Sequence, residues 1–383
     1  MRISRALIAL AVGFLAGVGI GSVLGFSWWL AAILILTGVS AGMVELSGGG
    51  GRGLAVFILF FGLFLGFLRA GTYSADPGGM ERTFWASTRS VLVVKVKNIL
   101  PLEEAALFNA MVLGYEKDVS AKIKTDFNRT GTRHVVAISG MNISIVALMI
   151  MSFGLSVGLW RRQAFWLAVS GVICFVFLVG SPPSAARAGI MGIILLWAQN
   201  RGRLVAAWRP VLLAAFFMVA LNPTLLNLDV GFQLSFLAVL GIIYFKNFWG
   251  RILFWIPVKM IRELVTLSMA AQTTTWPIIL YNFGSLSVIG PVANVFVVPV
   301  LTPVMFLGLG FMLTSPVPFL SPLFLWPVWL ILKITIKLVG FFSSLGWASA
   351  DLGKSGWAVF MFYPALYLFW KYLENRGYND PVN

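Results

Sequence analysis

The stretch "RTGTRHVVAISGMNISIV", residues 129–146, forms the boundary between a polar segment and a long apolar run. It contains the only histidine of the chain, His134, followed by Ser139, Gly140 and Asn142. Polar side chains at membrane depth are costly and usually face a cavity or a partner. A glycine among small polar residues predicts that the backbone leaves regular helix here, which lipid tolerates only beside a wet cavity. We therefore expect this boundary to contribute to a functional site.

The composition on both sides of this stretch predicts an all-α polytopic membrane protein. Apolar residues make up 59% and charged residues 11% of the chain, and the mean hydropathy is +0.92, far outside the range of soluble domains. Apolar runs long enough to cross a hydrocarbon core recur along the chain, so we predict about twelve transmembrane helices. Their ranges are 6–26, 28–45, 53–70, 135–159, 164–181, 184–199, 208–221, 230–246, 264–281, 286–312, 322–342 and 357–371.

The distribution of charge predicts the orientation of these helices. Connections rich in Arg and Lys alternate with short connections near 182, 225 and 283, which hold only Asp229. By the positive-inside rule the basic connections are cytoplasmic, and so are both termini. This topology signal explains much of the net charge of +15 and is favoured over nucleic-acid binding as its cause.

The chain is predicted to have four parts: N-terminal helices at 1–70, a short extracytoplasmic α/β insertion at 71–133, a transmembrane channel domain at 134–375 and a tail at 376–383. Within the insertion, "SVLVVKVKN" at 90–98 is interpreted as a strand and Pro101 as the start of a helix. A second, amphipathic helix is predicted with Ile123 and Phe127 inward and Gly131 at its end. The insertion is expected to cover the membrane bundle.

Strongly polar residues collect in the outer half of the predicted bundle. Arg187 lies about one turn inside a helix that begins with two prolines. It is on the predicted outer side of the membrane, where the positive-inside rule does not account for a basic residue. Asp229 opens another helix, and Gln233 follows on the same face. The candidate path residues from this pattern are His134, Ser139, Gly140, Asn142, Arg187, Asp229, Gln233, Gln272 and Asn294.

Each candidate also has a structural interpretation. Hydroxyl groups in membrane helices usually bond their own backbone, so the three threonines after Gln272 are predicted to be structural. Asn142 and Gln272 are equally compatible with hydrogen bonds between helices. Arg187 and Asp229 are compatible with a simple ion pair, although apolar residues could replace a purely structural pair.

The sequence motifs that could indicate a catalytic site are weak. His134 and Ser139 are five residues apart, so on a helix their side chains point about 140° apart and would not meet as a protease dyad. A single histidine excludes the usual zinc sites. The "GKS" at 353–355 lacks the preceding glycine of a phosphate loop, because Ala348 stands there. We therefore predict no enzyme activity, no metal and no cofactor.

Four blocks resemble, in order, the ComEC competence-protein family. They are "ALFNAMVLGYEKDVSAKIKTDFNRTGTRHVVAISGMNIS" (106–144), "GSPPSAARAGIMG" (180–192), "LNPTLLNLDVGFQLSFLAVLGI" (221–242) and "AAQTTTWPIILYNFGSLSVIGPVANVFVVP" (270–299). The resemblance implies a bacterial cytoplasmic (inner) membrane channel that imports transforming DNA as a single strand. Residues at positions characteristic of the family are His134, Ser139, Gly140, Arg187, Asp229, Gln233 and Ser235.

The same resemblance implies partners, and three departures qualify it. The expected partners are single-stranded DNA, the lipid bilayer, a cytoplasmic helicase-type ATPase, an external DNA receptor, a separate nuclease and a second copy of the chain. Asn142 stands where the family usually has histidine, and the segment before Leu107 is shorter than the family's OB-like domain. Many members continue into a metallo-β-lactamase-like domain, whose histidine-rich motifs this sequence lacks.

Two other classes of protein remain open. The first is a secondary transporter for a small solute, with Gly140, Pro291 and Pro299 as breaks in discontinuous helices. The second is a membrane scaffold whose polar residues only hold helices together. Clustering of the polar groups towards the outer mouth favours DNA entry, whereas paired carboxylates at the midplane would favour transport.

Overall fold

In a computed structural model, the described residues are 2–24, 34, 37, 53–72, 83–200, 208–317, 319–354 and 356–375. The helices are, in chain order, α1 (Arg2–Leu24), α2 (Gly53–Thr72), α3 (Thr83–Ile99), α4 (Leu102–Leu113), α5 (Ala121–Arg129), α6 (Arg133–Val136), α7 (Gly140–Ser156), α8 (Arg161–Leu178), α9 (Pro183–Asn200), α10 (Trp208–Leu221), α11 (Leu225–Leu228), α12 (Val230–Ile252), α13 (Lys259–Phe283), α14 (Gly290–Val297), α15 (Leu301–Thr314), α16 (Ser321–Ser344) and α17 (Gly356–Asn375). Two short strands, β1 (Ser285–Ser287) and β2 (Ser349–Asp351), pair antiparallel with Ser285 opposite Asp351. The described chain is therefore nearly all-helical, as predicted.

Two predicted membrane helices are interrupted in the structure. The helix predicted at 135–159 is divided into α6 and α7, because Ala137 and Ser139 have extended backbone angles. The helix predicted at 286–312 is divided into α14 and α15 by a 3-10 turn, Val298–Val300, whose central Pro299 has no N–H to donate. The helix predicted at 28–45 lies outside the described residues except for positions 34 and 37.

The strand predicted at 90–98 is wrong, because this segment belongs to α3. Its buried residues Leu92, Val93 and Val96 recur at helical spacing and pack into the core. β-Branched residues favour strands only where sheet neighbours are present, so tertiary packing decides the structure here. The described part of the insertion, 83–133, holds helices and no strand, and the α/β description is incorrect for that part.

The other two elements predicted in the insertion are confirmed. A helix starts directly after Pro101, as α4, and Ser120 caps the amphipathic α5 by accepting a hydrogen bond from the Ile123 N–H at 3.3 Å. Ile123 and Phe127 are buried on the inner face of α5. Gly131, with φ of +66°, reverses the chain after it, in the left-handed region that glycine adopts without strain.

Several helices of the described chain are long and apolar enough to cross a membrane. Five segments in the described residues are long and apolar enough to cross a membrane: Ala6–Val23, Arg161–Leu178, Val230–Trp255, Gly290–Thr314 and Ser321–Ser344. Shorter apolar helices lie at Ala55–Ala70, Gly140–Ser156 and Trp208–Leu221. These segments make the chain a multi-pass membrane protein, and the total of about twelve spans remains a prediction from hydropathy.

The chain divides into two compact units, residues 1–79 with 197–236, and residues 80–196 with 237–383. In the first unit, α1 and α2 pack backbone against backbone through glycines. A Cβ added at Gly17 would overlap the carbonyl of Leu63, and one added at Gly66 would overlap the carbonyl of Phe14. Small residues four apart allow such close approach between membrane helices. Gly13 and Gly62 make the same kind of contact one turn away.

The second unit is built around α4. Every residue from Glu104 to Leu113 is buried, in one core that also receives side chains from α3, α5, α7, α8, α9, α15 and α16. The Phe108 ring packs edge to face on Phe311, with centroids 6.0 Å apart. A Cβ added at Gly308 would lie 2.9 Å from Val112, so α15 passes very close to α4. This core positions the polar residues of the opening stretch.

Candidate functional site

The break between α6 and α7 places two polar side chains against α4. The Ser139 hydroxyl donates to Asn142 Oδ1 at 3.3 Å, and Asn142 Nδ2 donates to the carbonyl oxygen of Met111 at 3.0 Å. Asn142 has no exposed surface. A buried amide that satisfies a backbone carbonyl on another helix favours the structural interpretation of this residue.

The start of α9 lies against the same break. The Ser184 hydroxyl donates to the carbonyl of Ile138 at 2.7 Å, and a Cβ added at Gly140 would lie 3.7 Å from that of Ala188. The adjacent Arg187 is only 3% exposed. We call Ser139, Gly140, Asn142, Ser184 and Arg187 the outer polar group. The sequence reasoning missed Ser184, whose only local signal is a hydroxyl in the first turn of a helix.

His134 lies on α6, just before this group, and keeps an exposed surface. Desolvation of the ring lowers the pKa of His134 below its ordinary value of 6.5, and a hydrogen bond to the backbone of Gly131 opposes the effect. A lowered pKa favours the neutral form of the imidazole. An exposed neutral ring can donate and accept hydrogen bonds, but it adds no cation to the outer polar group.

Gln272 on α13 and Asn294 on α14 lie in a different place, where these two helices pack together. Asn294 Nδ2 donates to the Ser268 hydroxyl at 2.9 Å. One turn before Asn294 on α14 and one turn after Ser268 on α13, a Cβ added at Gly290 would lie 2.6 Å from Gln272 Nε2 and 3.3 Å from Ser287 Oγ. We call Ser268, Gln272, Ser287 and Asn294 the inner polar seam. Ser268 and Ser287 gave no signal in the sequence.

The remaining candidates belong to the first compact unit and have local partners. Asp229 caps α12, accepting from the N–H of Phe232 at 2.8 Å, which confirms that it opens that helix. Gln233 Nε2 donates to the carbonyls of Leu226 and Asn227 at 2.9 and 3.2 Å. Ser235 is partly buried on α12. Arg187 lies in the other unit, so its pairing with Asp229 stays a prediction.

The threonines after Gln272 behave largely as predicted. Thr273 and Thr275 donate to carbonyls four residues earlier in α13, at 2.8 and 3.0 Å. Thr274 also reaches the carbonyl of Leu237 on α12 at 2.7 Å, so it joins two helices. Within the described ranges, no group of three or more His, Cys, Asp and Glu side chains is placed to hold a metal.

These features define a helical multi-pass membrane protein in which polar side chains meet at helix breaks inside an apolar core. A family profile described as "Competence protein" matches residues 111–376. Because that match covers more than half of the chain, the chain belongs to the competence-protein family. The matched region includes the outer polar group and the inner polar seam.

Curated relatives agree with this family. The chain is similar to "ComE operon protein 3" of Bacillus subtilis, with 26% identity over 217 residues, covering 56% of the chain and 27% of that protein. It is similar to "Competence protein ComA" of Neisseria gonorrhoeae, with 28% identity over 225 residues, covering 56% of the chain and 30% of that protein. The "Uncharacterized protein YcaI" of Escherichia coli is 26% identical over 216 residues, covering 51% of the chain and 28% of that protein. The matches thus span less than a third of each relative, and no solved structure matches the chain.

Proposed function

We infer that the chain is a bacterial inner-membrane channel for the uptake of single-stranded transforming DNA. Membership of the competence-protein family and several membrane-spanning helices support this function. The observation that carries it is Arg187, a cation with 3% exposure beside a break between two helices. A charge held inside a membrane bundle usually marks the path of a charged substrate.

The chemistry of Arg187 suits a phosphodiester. A guanidinium offers donors in a planar fork that matches two phosphate oxygens. A channel that must release its polyanion works best with few cations, because many would trap the strand. In this proposal Ser139, Gly140 and His134 line the entrance beside Arg187. Asp229, Gln233 and Ser235 remain path residues proposed from the sequence pattern alone. Asn142 does not line the entrance in this proposal; its hydrogen bond to Met111 holds α7 against α4.

The proposal includes partners and a location. Both termini lie in the cytoplasm, as the basic connections indicate. A cytoplasmic helicase-type ATPase pulls the strand, an external receptor delivers it and a separate nuclease removes its complement. A second copy of the chain completes the channel wall in this proposal.

One observation favours the alternative of a secondary transporter. The segment from α14 to α15 is interrupted by the 3-10 turn at Val298–Val300, close to the breaks predicted at Pro291 and Pro299. Discontinuous helices surround the binding sites of many transporters. Uptake of labelled DNA by cells that depend on this chain separates the two functions, because a small-solute transporter would leave DNA uptake unchanged when deleted.

Variants of Arg187 test the channel directly. We expect Arg187→Gln to insert normally and to reduce uptake of labelled DNA at least tenfold, with Arg187→Lys keeping part of the activity because the charge remains. The measurement is internalised DNA per inserted molecule in a strain deleted for the parental chain.

The matched control is Arg89→Gln. Arg89 also lies in the second unit, and it donates to the carbonyl of Val179 at 3.0 Å, directly after α8. Its loss should lower the amount of inserted protein without lowering uptake per molecule. Parental uptake by Arg187→Gln would show that Arg187 only holds helices together, and the proposed entrance would be wrong.

A further inference from the structure

The short helix α5 carries three cations that have no acidic partner. Lys122 is exposed, and Lys124 and Arg129 are partly exposed. The ion pairs among the described residues include none of the three. We call Lys122, Lys124 and Arg129 the basic face of α5. Exposed cations without a partner create a positive potential that attracts anions.

The nearby carboxylates bind other groups and do not neutralise the basic face. Glu116 and Asp118, which precede α5, each form an ion pair with a basic residue outside this helix, at 3.6 and 2.8 Å. Asp126 is the only acid of α5 itself, and its Oδ1 accepts a hydrogen bond from the Ser343 hydroxyl at 2.7 Å, near the end of α16. The fold thus turns each of these three carboxylates towards a structural partner.

The three cations lie around the side of α5 that faces away from the core. Ile123 and Phe127 are buried and define its inner side. Lys122 and Arg129 are seven residues apart, so they follow one edge of the outer side about 10 Å from each other along the axis, and Lys124 lies on the opposite edge. Phe127 is the only aromatic residue of α5. The outer side therefore offers cations for phosphates but no ring on which bases could stack.

A fixed turn connects α5 to the outer polar group. Thr130 and Thr132 have no exposed surface, and their hydroxyl oxygens are 2.8 Å apart. The Thr130 hydroxyl also donates to the carbonyl of Asp126 at 2.9 Å. Helix α6 with the exposed His134 follows directly, and then the break at Ser139. The basic face is thus adjacent along the chain to the proposed entrance.

We propose that the basic face of α5 is a docking surface for the phosphate backbone of single-stranded DNA, next to the outer polar group. The inference rests on the proposed function, because it extends the entrance of that channel. Contacts from Lys and Arg to phosphates carry no sequence information, which suits a channel for any transforming strand. A membrane surface is a poorer partner, since an interfacial helix buries its apolar side in lipid, whereas that side of α5 packs in the protein core.

The salt dependence of binding tests this surface without requiring import. The full chain is placed in nanodiscs of zwitterionic phosphatidylcholine, and a fluorescent oligo-deoxythymidine is titrated by anisotropy at several KCl concentrations. For a single strand, the slope of log affinity against log salt concentration changes by about 0.7 per neutralised phosphate. We therefore expect Lys122→Gln and Arg129→Gln each to make the slope shallower by about 0.7, and the triple variant that also contains Lys124→Gln by about 2.

The matched control is Lys259→Gln. Lys259 is also an exposed lysine near the end of a helix, at the start of α13 on the predicted cytoplasmic side. This control should keep the parental slope and affinity. The variants of α5 should keep the parental unfolding midpoint, because the substituted side chains are not buried and have no ion pair. If the triple variant does not fold, Lys122→Gln alone decides.

Two results would overturn the proposal: a parental slope in the folded variants of α5, or an equal change in Lys259→Gln. The channel and the surface can fail separately. If the triple variant loses DNA binding while Arg187→Gln imports DNA at the parental rate, the docking surface stands and the proposed entrance is wrong. If the triple variant binds DNA like the parent while Arg187→Gln stops import, the entrance stands and the docking surface is wrong.

Discussion

At the scale of single residues, the polar side chains at membrane depth divide into those whose polar atoms all find protein partners and those with an atom left without one. Asn142 belongs to the first kind, because its amide satisfies the carbonyl of Met111 in the centre of the core. Gln272 and Asn294 belong to the second, because each has an amide oxygen without a partner in the described chain, although the Asn294 amide nitrogen donates to Ser268. Residue type alone does not distinguish the two, since all three are uncharged amides.

A substitution at Asn142 tests its structural role. Asn142→Ala leaves the Met111 carbonyl buried without a donor, so we expect the protein to lose about 1–3 kcal/mol of stability. Thermal unfolding of the purified protein, with Asn282→Ala as the control, measures this loss. An unfolding midpoint equal to that of the parent would show that the hydrogen bond contributes nothing.

The sequence predicts the hydrogen-bond partner of such a side chain only where that partner lies a few residues away along the chain. The threonines of α13 could be assigned because their acceptors lie four residues earlier in the same helix. Ser184 could not be assigned, since its acceptor Ile138 is 46 positions away. The partners of Asn142 and Asn294 likewise depend on which helices become neighbours, and hydropathy does not contain that information.

At the scale of elements, hydropathy predicted several of the described membrane helices but not their interruptions. The predicted range 208–221 coincides with α10, because a long apolar run has one natural structure in lipid. The segment 90–98 was assigned wrongly because a short apolar run is ambiguous between strand and helix without its neighbours. The close packing of α1 and α2 was not predicted, although glycines spaced four apart are visible in the sequence.

The glycine contact between α1 and α2 gives a prediction for this scale. Gly17→Ala should destabilise the protein by about 1–3 kcal/mol, because the added methyl group overlaps the backbone of α2. Gly19→Ala on the same helix is the control, since its Cβ would lie 3.6 Å from Leu226, an ordinary contact. Thermal unfolding and the amount of inserted protein should therefore fall for position 17 and not for position 19.

At the scale of the whole molecule, the alternation of basic connections predicts which side of the membrane each connection lies on. The helices of the second unit give exposed positions on both predicted sides, Lys122 on α5 and Lys259 at the start of α13. Residues of α4 such as Ala110 are unsuitable as probes, because they are fully buried. The orientation can thus be tested with small labels at surface positions.

Cysteine labelling provides that test. In a Cys174→Ser background, Lys122→Cys should react with a membrane-impermeant maleimide in intact cells. Lys259→Cys should react only after the membrane is opened. The physical reason is the retention of Arg- and Lys-rich connections in the cytoplasm. Reaction of Lys259→Cys in intact cells would reverse the predicted topology and place the outer polar group on the wrong side for DNA entry.

The burial of α4 from Glu104 to Leu113 has a consequence for how the protein is made. Its neighbours Gly308 and Phe311 follow it by about two hundred positions. At synthesis rates of about 5–20 residues per second, these positions emerge from the ribosome roughly 10 to 40 s after α4. During that interval a ten-residue apolar helix has no finished core to enter, and it needs either lipid or a chaperone as a temporary partner. A nascent chain released before residue 311 would leave α4 exposed, which makes incomplete copies natural targets for membrane proteases.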